Sequence, residues 1–243
     1  MSPYEYDFDE QFHRLTVEGR PARTGGPPPP PLKEYPTAPS YALPDPLPLP
    51  MPLHEALQQR KSLRTYNPDF VLPPAHLATL LHYTVGVTHL YRGRYPLRAY
   101  PSAGALHPLE LYVYARQVAD LPAGIFHYHP FKHRLYHLVE GEIQEALVRA
   151  AYDQEFLADA AVVLIFAIVY ERTRRKYGYR AYRYVFTDLG AACENTYLVA
   201  CGLGLGTVLV GAFDDDAVAT LIGLDPEKEW IGALMPVGEP LSR

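Results

Sequence analysis

Pro101-Ser102-Ala103-Gly104-Ala105-Leu106-His107-Pro108-Leu109-Glu110 is a small-residue turn fenced by two prolines. It runs straight into Leu111-Tyr112-Val113-Tyr114-Ala115, whose aromatic and β-branched residues predict a strand. The prolines fix the approach of the backbone, and Gly104 takes a positive φ without penalty. Ser102 adds a hydroxyl. Small side chains here let backbone come close to something flat or anionic. Two expectations follow: a loop that approaches a cofactor, or a tight crossover without a ligand.

The residues that follow this turn supply the rest of a sheet. Gly124–Pro130 and His133–Leu138 alternate apolar and polar residues around a proline turn, which predicts a hairpin. Residues 142–151 have helical spacing. Ala160–Val169 is a continuous apolar run rich in Val and Ile, too short for most helices, and predicts a fully buried strand. Thr187-Asp188 is expected to cap a close-packed helix over Leu189–Gly202, ended by Gly202, Gly204 and Gly206. A strand over Thr207–Phe213, a helix over Asp215–Leu221 and a last strand over Trp230–Val237 complete the reading. On the N-terminal side, Leu53–Arg60 is helical. Pro73-Pro74 opens a second helix, with Leu77, Leu80, Leu81 and Val85 on one side and Gly86 as its stop. A polar, Tyr- and Arg-rich connection leads from there to the turn. Helices alternating with strands and one hairpin make the class α+β.

Residues 1–50 differ from the body at 51–243. Gly25–Pro31 and Leu43–Pro50 are polyproline II runs. They predict an arm lying over the body or over a partner subunit, with Tyr35, Tyr41, Leu43, Leu47 and Leu49 as the residues it buries. A docking ligand for a proline-recognition domain is the alternative. The start, Met1–Asp7, is polar and acidic, unlike a signal peptide.

The 243 residues carry 48% hydrophobic and 20% charged residues, a net charge of −5 and 25 prolines. The acidic balance argues against nucleic acid as a partner, and no run is apolar enough to enter a membrane as a helix. Cys193 and Cys201, the two cysteines, share one helical stretch where a bridge is poorly placed; reduced thiols in the cytoplasm are expected.

Three constellations suggest chemistry. Arg60-Lys61-Ser62-Leu63-Arg64 gathers three cations and a hydroxyl at a helix end, a pattern that suits a phosphate or a solvated helix terminus. The opening turn is the second. Gly204–Phe213 is the third. Its order is helix, glycines, strand, opposite to a dinucleotide-binding loop, so Gly211 is expected instead to bring backbone against a planar ring. His127, His129, His133 and His137 fall on the hairpin and are expected to be partly exposed, with no metal. His107 is expected to orient the turn by hydrogen bonds.

Together these motifs resemble the flavin mononucleotide (FMN)-dependent nitroreductase superfamily, and most closely its SagB-type dehydrogenase branch. The resemblance runs from about Leu53 to the C-terminus and rests on residues 101–110, on Lys176–Arg183, and on Gly202–Gly206 leading to Gly211-Ala212-Phe213. It implies a nitroreductase-like α+β fold, a homodimer, and FMN at the subunit interface. Arg60, Lys61, Ser62 and Arg64 then hold the flavin phosphate and ribityl group. Pro101, Ser102, Ala103 and Gly104 approach the ring from the other subunit. Gln154 reaches the pyrimidine edge, and Gly211-Ala212 backbone lies near flavin N5. Many relatives carry Asn in the turn, where this chain has Ala105. Lys176-Tyr177 matches a pair implicated in proton removal. The basic run around it, Arg172–Arg183, is alternatively a solvated face or a rim for the phosphates of NAD(P)H. Three functions remain open on these grounds. The first is a dehydrogenase of a small-molecule or peptide substrate, the second an NAD(P)H-dependent nitro or quinone reductase. The third is a partner-dependent flavin-binding subunit.

Overall fold

The computed structural model describes residues 5–17 and 27–241, with side-chain environments from residue 10 onward. Met1–Tyr4, Gly25 and Gly26 of the first proline run, and the C-terminal Arg243 lie outside the described residues.

Helix α1 (Glu5–Val17) and strand β1 (Ser40–Ala42) fall within the proline-rich segment, where the sequence signalled neither. Helices α2 (Leu53–Gln59) and α3 (Pro74–Val85) follow. Pro74 sits in the first turn of α3, where its missing N–H costs nothing, and Gly86 caps the end. Leu77, Leu80, Leu81 and Val85 are buried as the spacing requires.

The Tyr- and Arg-rich connection is a correction. It forms an antiparallel hairpin of β2 (Val87–Tyr91) and β3 (Tyr95–Arg98). Its turn uses two consecutive positive-φ residues, Arg92 (52°) and Gly93 (72°). Arg92-Gly93 is a weaker turn signal than Asn-Gly, and the strands lack a buried face.

Strand β4 (Leu109–Ala115), the hairpin β5 (Gly124–His129) and β6 (Arg134–Glu140), helices α4 (Gln144–Ala150) and α5 (Phe156–Asp159), and β7 (Val162–Ile168) come next. Beyond them lie α6 (Tyr170–Tyr177), the 22-residue α7 (Ala181–Gly202), β8 (Gly206–Thr207), α8 (Asp215–Leu221) and β9 (Trp230–Gly238). The main sheet has the order β1-β6-β5-β4-β7-β9-β8, with antiparallel neighbours throughout.

Burial of both sheet faces explains the apolar run of β7. Val162, Leu164, Phe166 and Ile168 enter one core cluster with α3 and α7. Val163, Ile165 and Ala167 enter the other, with residues of α4, α5 and α8. Taking each Val, Leu, Ile or Phe among them out of water contributes about 1.5–3 kcal/mol. β4 divides the same way, with Leu111 and Val113 on one face and Tyr112 and Tyr114 on the other.

Two further expectations are corrected. Thr187 and Asp188 do not cap α7; they lie in its second turn, because the helix starts at Ala181 directly after a short 3-10 turn at Gly178–Arg180. The strand expected over Thr207–Phe213 is limited to Gly206–Thr207 and one isolated pairing of Val210 with Leu234.

The proline-rich segment lies on the body. β1 pairs with β6, and the Tyr41 ring meets Phe126 edge-on at 5.8 Å. Leu43 and Leu49 pack against the first core cluster, and the Leu47 N–H donates to Thr79 Oγ1 (2.8 Å). Lys33 ion-pairs with Glu229.

Candidate functional site

The opening turn adopts the backbone its residues suggested. Gly104 has φ 64°, while Ala105 (53°) and His107 (46°) also sit at positive φ. Each non-glycine residue there is strained by roughly 1–2 kcal/mol, so tertiary contacts must hold the turn. They do. Ser102 Oγ donates to Asp188 Oδ2 (2.6 Å), and the Ala103 N–H donates to Asp188 Oδ1 (3.3 Å). Ser102 Oγ also accepts the His107 N–H (2.9 Å). Asp188 is 4% exposed; burial raises its pKa, opposed by the bonds from Ser102 and Ala103. No spacing rule singles out a carboxylate inside a small-residue helix as the partner of a turn 86 residues away.

The expected orienting role of His107 is visible. Its Nε2–H donates to the Pro96 carbonyl (3.2 Å). Burial, with Arg98 and Arg172 nearby, pushes its pKa down to about 4, so the ring is neutral near pH 7.

Lys176 and Tyr177 close on the same turn. A Cβ added at Gly104 would meet both Lys176 Nζ and the Tyr177 hydroxyl at 2.7 Å. Lys176 is exposed, with its Nζ 5.2 Å from the centre of the Tyr177 ring. The structure thus joins Pro101–Gly104 to the Lys-Tyr pair within a single subunit. The arrangement can present an amine and a phenol to whatever lies against the turn.

Arg60, Lys61, Ser62 and Arg64 form a second group, at the end of α2. The Arg60 guanidinium stacks over the Tyr197 ring at 5.1 Å. Ser62 pairs with Thr207, and its Oγ lies 3.0 Å from the Tyr197 hydroxyl, which accepts the Leu209 N–H (2.7 Å). Lys61 and Arg64 are exposed. A recess of about 50 Å³ opens between Arg60, Lys61, Tyr197 and Thr207. Thr207 Oγ1 is buried beside it without a partner among the described residues. A cation-lined recess with a spare hydroxyl suits a phosphate. Tyr197 and Thr207 were missed by sequence reasoning, since neither stands in the basic motif.

The segment after Thr207 leads to a third group. Gln154 Nε2 donates to the Ala151 and Ala212 carbonyls, both at 2.8 Å, so Gln154 and Ala212 are neighbours. Gly211 and Ala212 are exposed, and their N–H groups have no partner among the described residues. A Cβ at Gly211 would meet only Leu209, at 4.0 Å. Free amides beside open space suit the edge of a planar ring. The residues present therefore fit FMN.

The turn and the basic group lie apart along α7. Asp188, at the turn, and Tyr197, at Ser62, are nine residues apart on α7, about 14 Å along its axis.

The histidine expectation is corrected in part. His127 and His129 are 0% and 1% exposed. His127 Nε2–H donates to Glu110 Oε2 (2.8 Å), and His129 lies 3.2 Å from Glu34 of the arm. The arm covers that sheet face, which hairpin alternation alone does not reveal.

A seven-stranded antiparallel sheet with α7 across one face and a strained Pro-Ser turn facing a Lys-Tyr helix defines a nitroreductase-like α+β fold. The nitroreductase family model matches residues 57–239, and the chain belongs to that family. A Methanocaldococcus jannaschii protein named as a nitroreductase, MJ1384, is 40% identical over 189 residues, 78% of this chain and 91% of the relative. The Escherichia coli microcin B17-processing protein McbC is 31% identical over 134 residues, 53% of this chain; the match spans 49% of McbC. A nitroreductase-type structure from Ralstonia eutropha is 25% identical with TM-score 0.73, covering 92% of this chain and 99% of that one. A Desulfovibrio desulfuricans structure of the same type, in complex with FMN, shares the fold at 21% identity and TM-score 0.55, covering 79% and 88%. No described helix is long and apolar enough to cross a membrane.

Proposed function

We propose that this chain is a homodimeric, FMN-dependent oxidoreductase of the SagB-type dehydrogenase branch, one that desaturates a ring or a carbon–nitrogen bond. The placement of Lys176 Nζ and the Tyr177 hydroxyl against Gly104 carries this reading. Desaturation removes a hydride from one atom and a proton from its neighbour. FMN, when bound, would supply the two-electron acceptor for that hydride, with oxygen as the final oxidant. Lys176 Nζ takes the proton, and Tyr177 orients the amine. Arg60, Lys61, Ser62 and Arg64 hold the phosphate end. Gly211-Ala212 and Gln154 border the ring, and Pro101–Gly104 of the second subunit limit access to its face. The family resemblance motivates the dimer, in which a second copy supplies the turn to each site. The SagB-type resemblance points to an azoline-bearing peptide as substrate class, and the likeness to a microcin B17-processing protein is in keeping with it.

The reductase alternative has a weaker electrostatic rim than the basic run suggests. Arg172 pairs with buried Glu110, and Arg174 pairs with Glu171. Arg180 donates to the Val17 carbonyl, and Arg183 to Thr16 and His13. Arg172 and Arg174 are thus paired with carboxylates, which leaves fewer cations of the run for the phosphates of NAD(P)H.

A donor screen on the purified, FMN-loaded protein tests the proposal. Bleaching of the flavin by an azoline peptide, lost in Lys176→Ala, is expected. Bleaching by NAD(P)H alone would move the assignment to a reductase. Bleaching by neither would point to a partner-dependent subunit, and failure to load FMN would end the proposal.

A further inference from the structure

Arg172 stands one turn ahead of Lys176 on α6 and is 6% exposed. Its guanidinium makes three bonds to three separate segments. Nε donates to the Pro30 carbonyl of the arm (2.9 Å), Nη1 to the His107 carbonyl (3.1 Å), and Nη2 to Glu110 on β4. Glu110 is 1% exposed. Burial pushes its pKa up, but Arg172, His127 and Arg98 outweigh burial and hold it well below the usual carboxylate range.

We propose that Arg172 is a positioning residue: it sets the Lys176–Tyr177 end of α6 against the Ser102–Gly104 turn. Its importance for turnover rests on the role given to Lys176 above. An eight-residue helix has little stability of its own, so its placement must come from tertiary contacts. The contact network is continuous. Arg172 holds His107 by its carbonyl, His107 holds Ser102 by its N–H, and Ser102 holds Asp188. The turn is therefore gripped from α6 at one end and from α7 at the other. A buried ion pair is a poor way to gain stability, because an apolar pair of like volume is often as good. Its geometric value is different. Only a planar fork satisfies three acceptors in three directions, which a lysine ammonium on a flexible stem does not reproduce.

The test uses the full-length protein labelled with 15N at its 17 glycines. Tyr177→Phe is expected to move the Gly104 amide signal in the wild-type background. In an Arg172→Lys background the same change should leave that signal in place, while the unfolding midpoint stays within about 5 °C of wild type. Hydrogen exchange at 101–107 and 170–177 should rise at least ~10-fold. Should Arg172→Lys fail to fold, the uncharged pair Glu110→Leu with Arg172→Met takes its place with the same expected result. A Gly104 signal that responds to Tyr177→Phe equally in both backgrounds, or in neither, overturns the proposal. Loss of the Lys176 role would appear separately, as donor-driven bleaching that survives Lys176→Ala while the Gly104 response persists.

Discussion

Gly104→Ala separates the fold from the chemistry. At φ 64° an alanine costs roughly 1–2 kcal/mol in backbone strain. The new methyl would also sit 2.7 Å from Lys176 Nζ and the Tyr177 hydroxyl, against 3.4 Å for ordinary contact. Both atoms end flexible or semi-flexible side chains, so they move by about 0.7 Å at little cost to stability. For a protein of 243 residues the net loss corresponds to a fall in unfolding midpoint of about 2–8 °C. The effect on turnover should be much larger. A misplacement approaching 1 Å in a proton-transfer group costs on the order of 10²-fold. FMN retention should stay unchanged, because the residues proposed to hold the phosphate lie at the end of α2, beside Tyr197 rather than Asp188. The assay pairs thermal unfolding with single-turnover bleaching by the productive donor. A Gly104→Ala protein that unfolds a few degrees early yet bleaches at the wild-type rate would refute the argument. It would mean that the Lys-Tyr pair plays no part in the step observed.

Arg64→Ala should weaken FMN retention by ~10-fold, as loss of one of the cations proposed to hold the phosphate implies, with little change in unfolding midpoint; equilibrium dialysis of the loaded protein measures it. Asp188→Ala leaves the Ser102 hydroxyl and Ala103 N–H without their acceptor. It should cost about 1–3 kcal/mol by denaturant unfolding, concentrated in faster exchange of the turn. Stability should fall as pH drops from about 6.5 through 4, because His107 is neutral when folded and charges more readily when unfolded. The stabilisation is fully present above 6.5, and its loss should be on the order of 2–3 kcal/mol. His107→Gln should flatten that part of the profile.

The local signals in this sequence were strong where one element buries its own faces. Pro73-Pro74 and Gly86 bound α3, and the apolar run of β7 reflects two cores meeting on one strand. They failed where a residue answers to a distant one. Asp188 looks like a helix cap by its neighbours, but its oxygens are taken by residues of another segment. His127 and His129 look half-exposed by alternation, yet the arm covers them. In the candidate site, the cations at Arg60–Arg64 and the turn at 101–104 stand out in the sequence because each is a compact motif. Tyr197, Thr207 and Arg172 do not, because their roles depend on which segments the fold brings beside them.

The Lys33–Glu229 pair joins residues 196 positions apart. At ribosomal speeds of about 5–20 residues per second, Lys33 is synthesised roughly 10–40 s before its partner. Pro30 likewise waits for Arg172, and Tyr41 for Leu135. The arm thus completes its contacts in steps, first at β6, then at Arg172, and last at Glu229. A nick near Trp230 that frees Glu229 should therefore loosen the Lys33 end of the arm while β1 stays paired with β6.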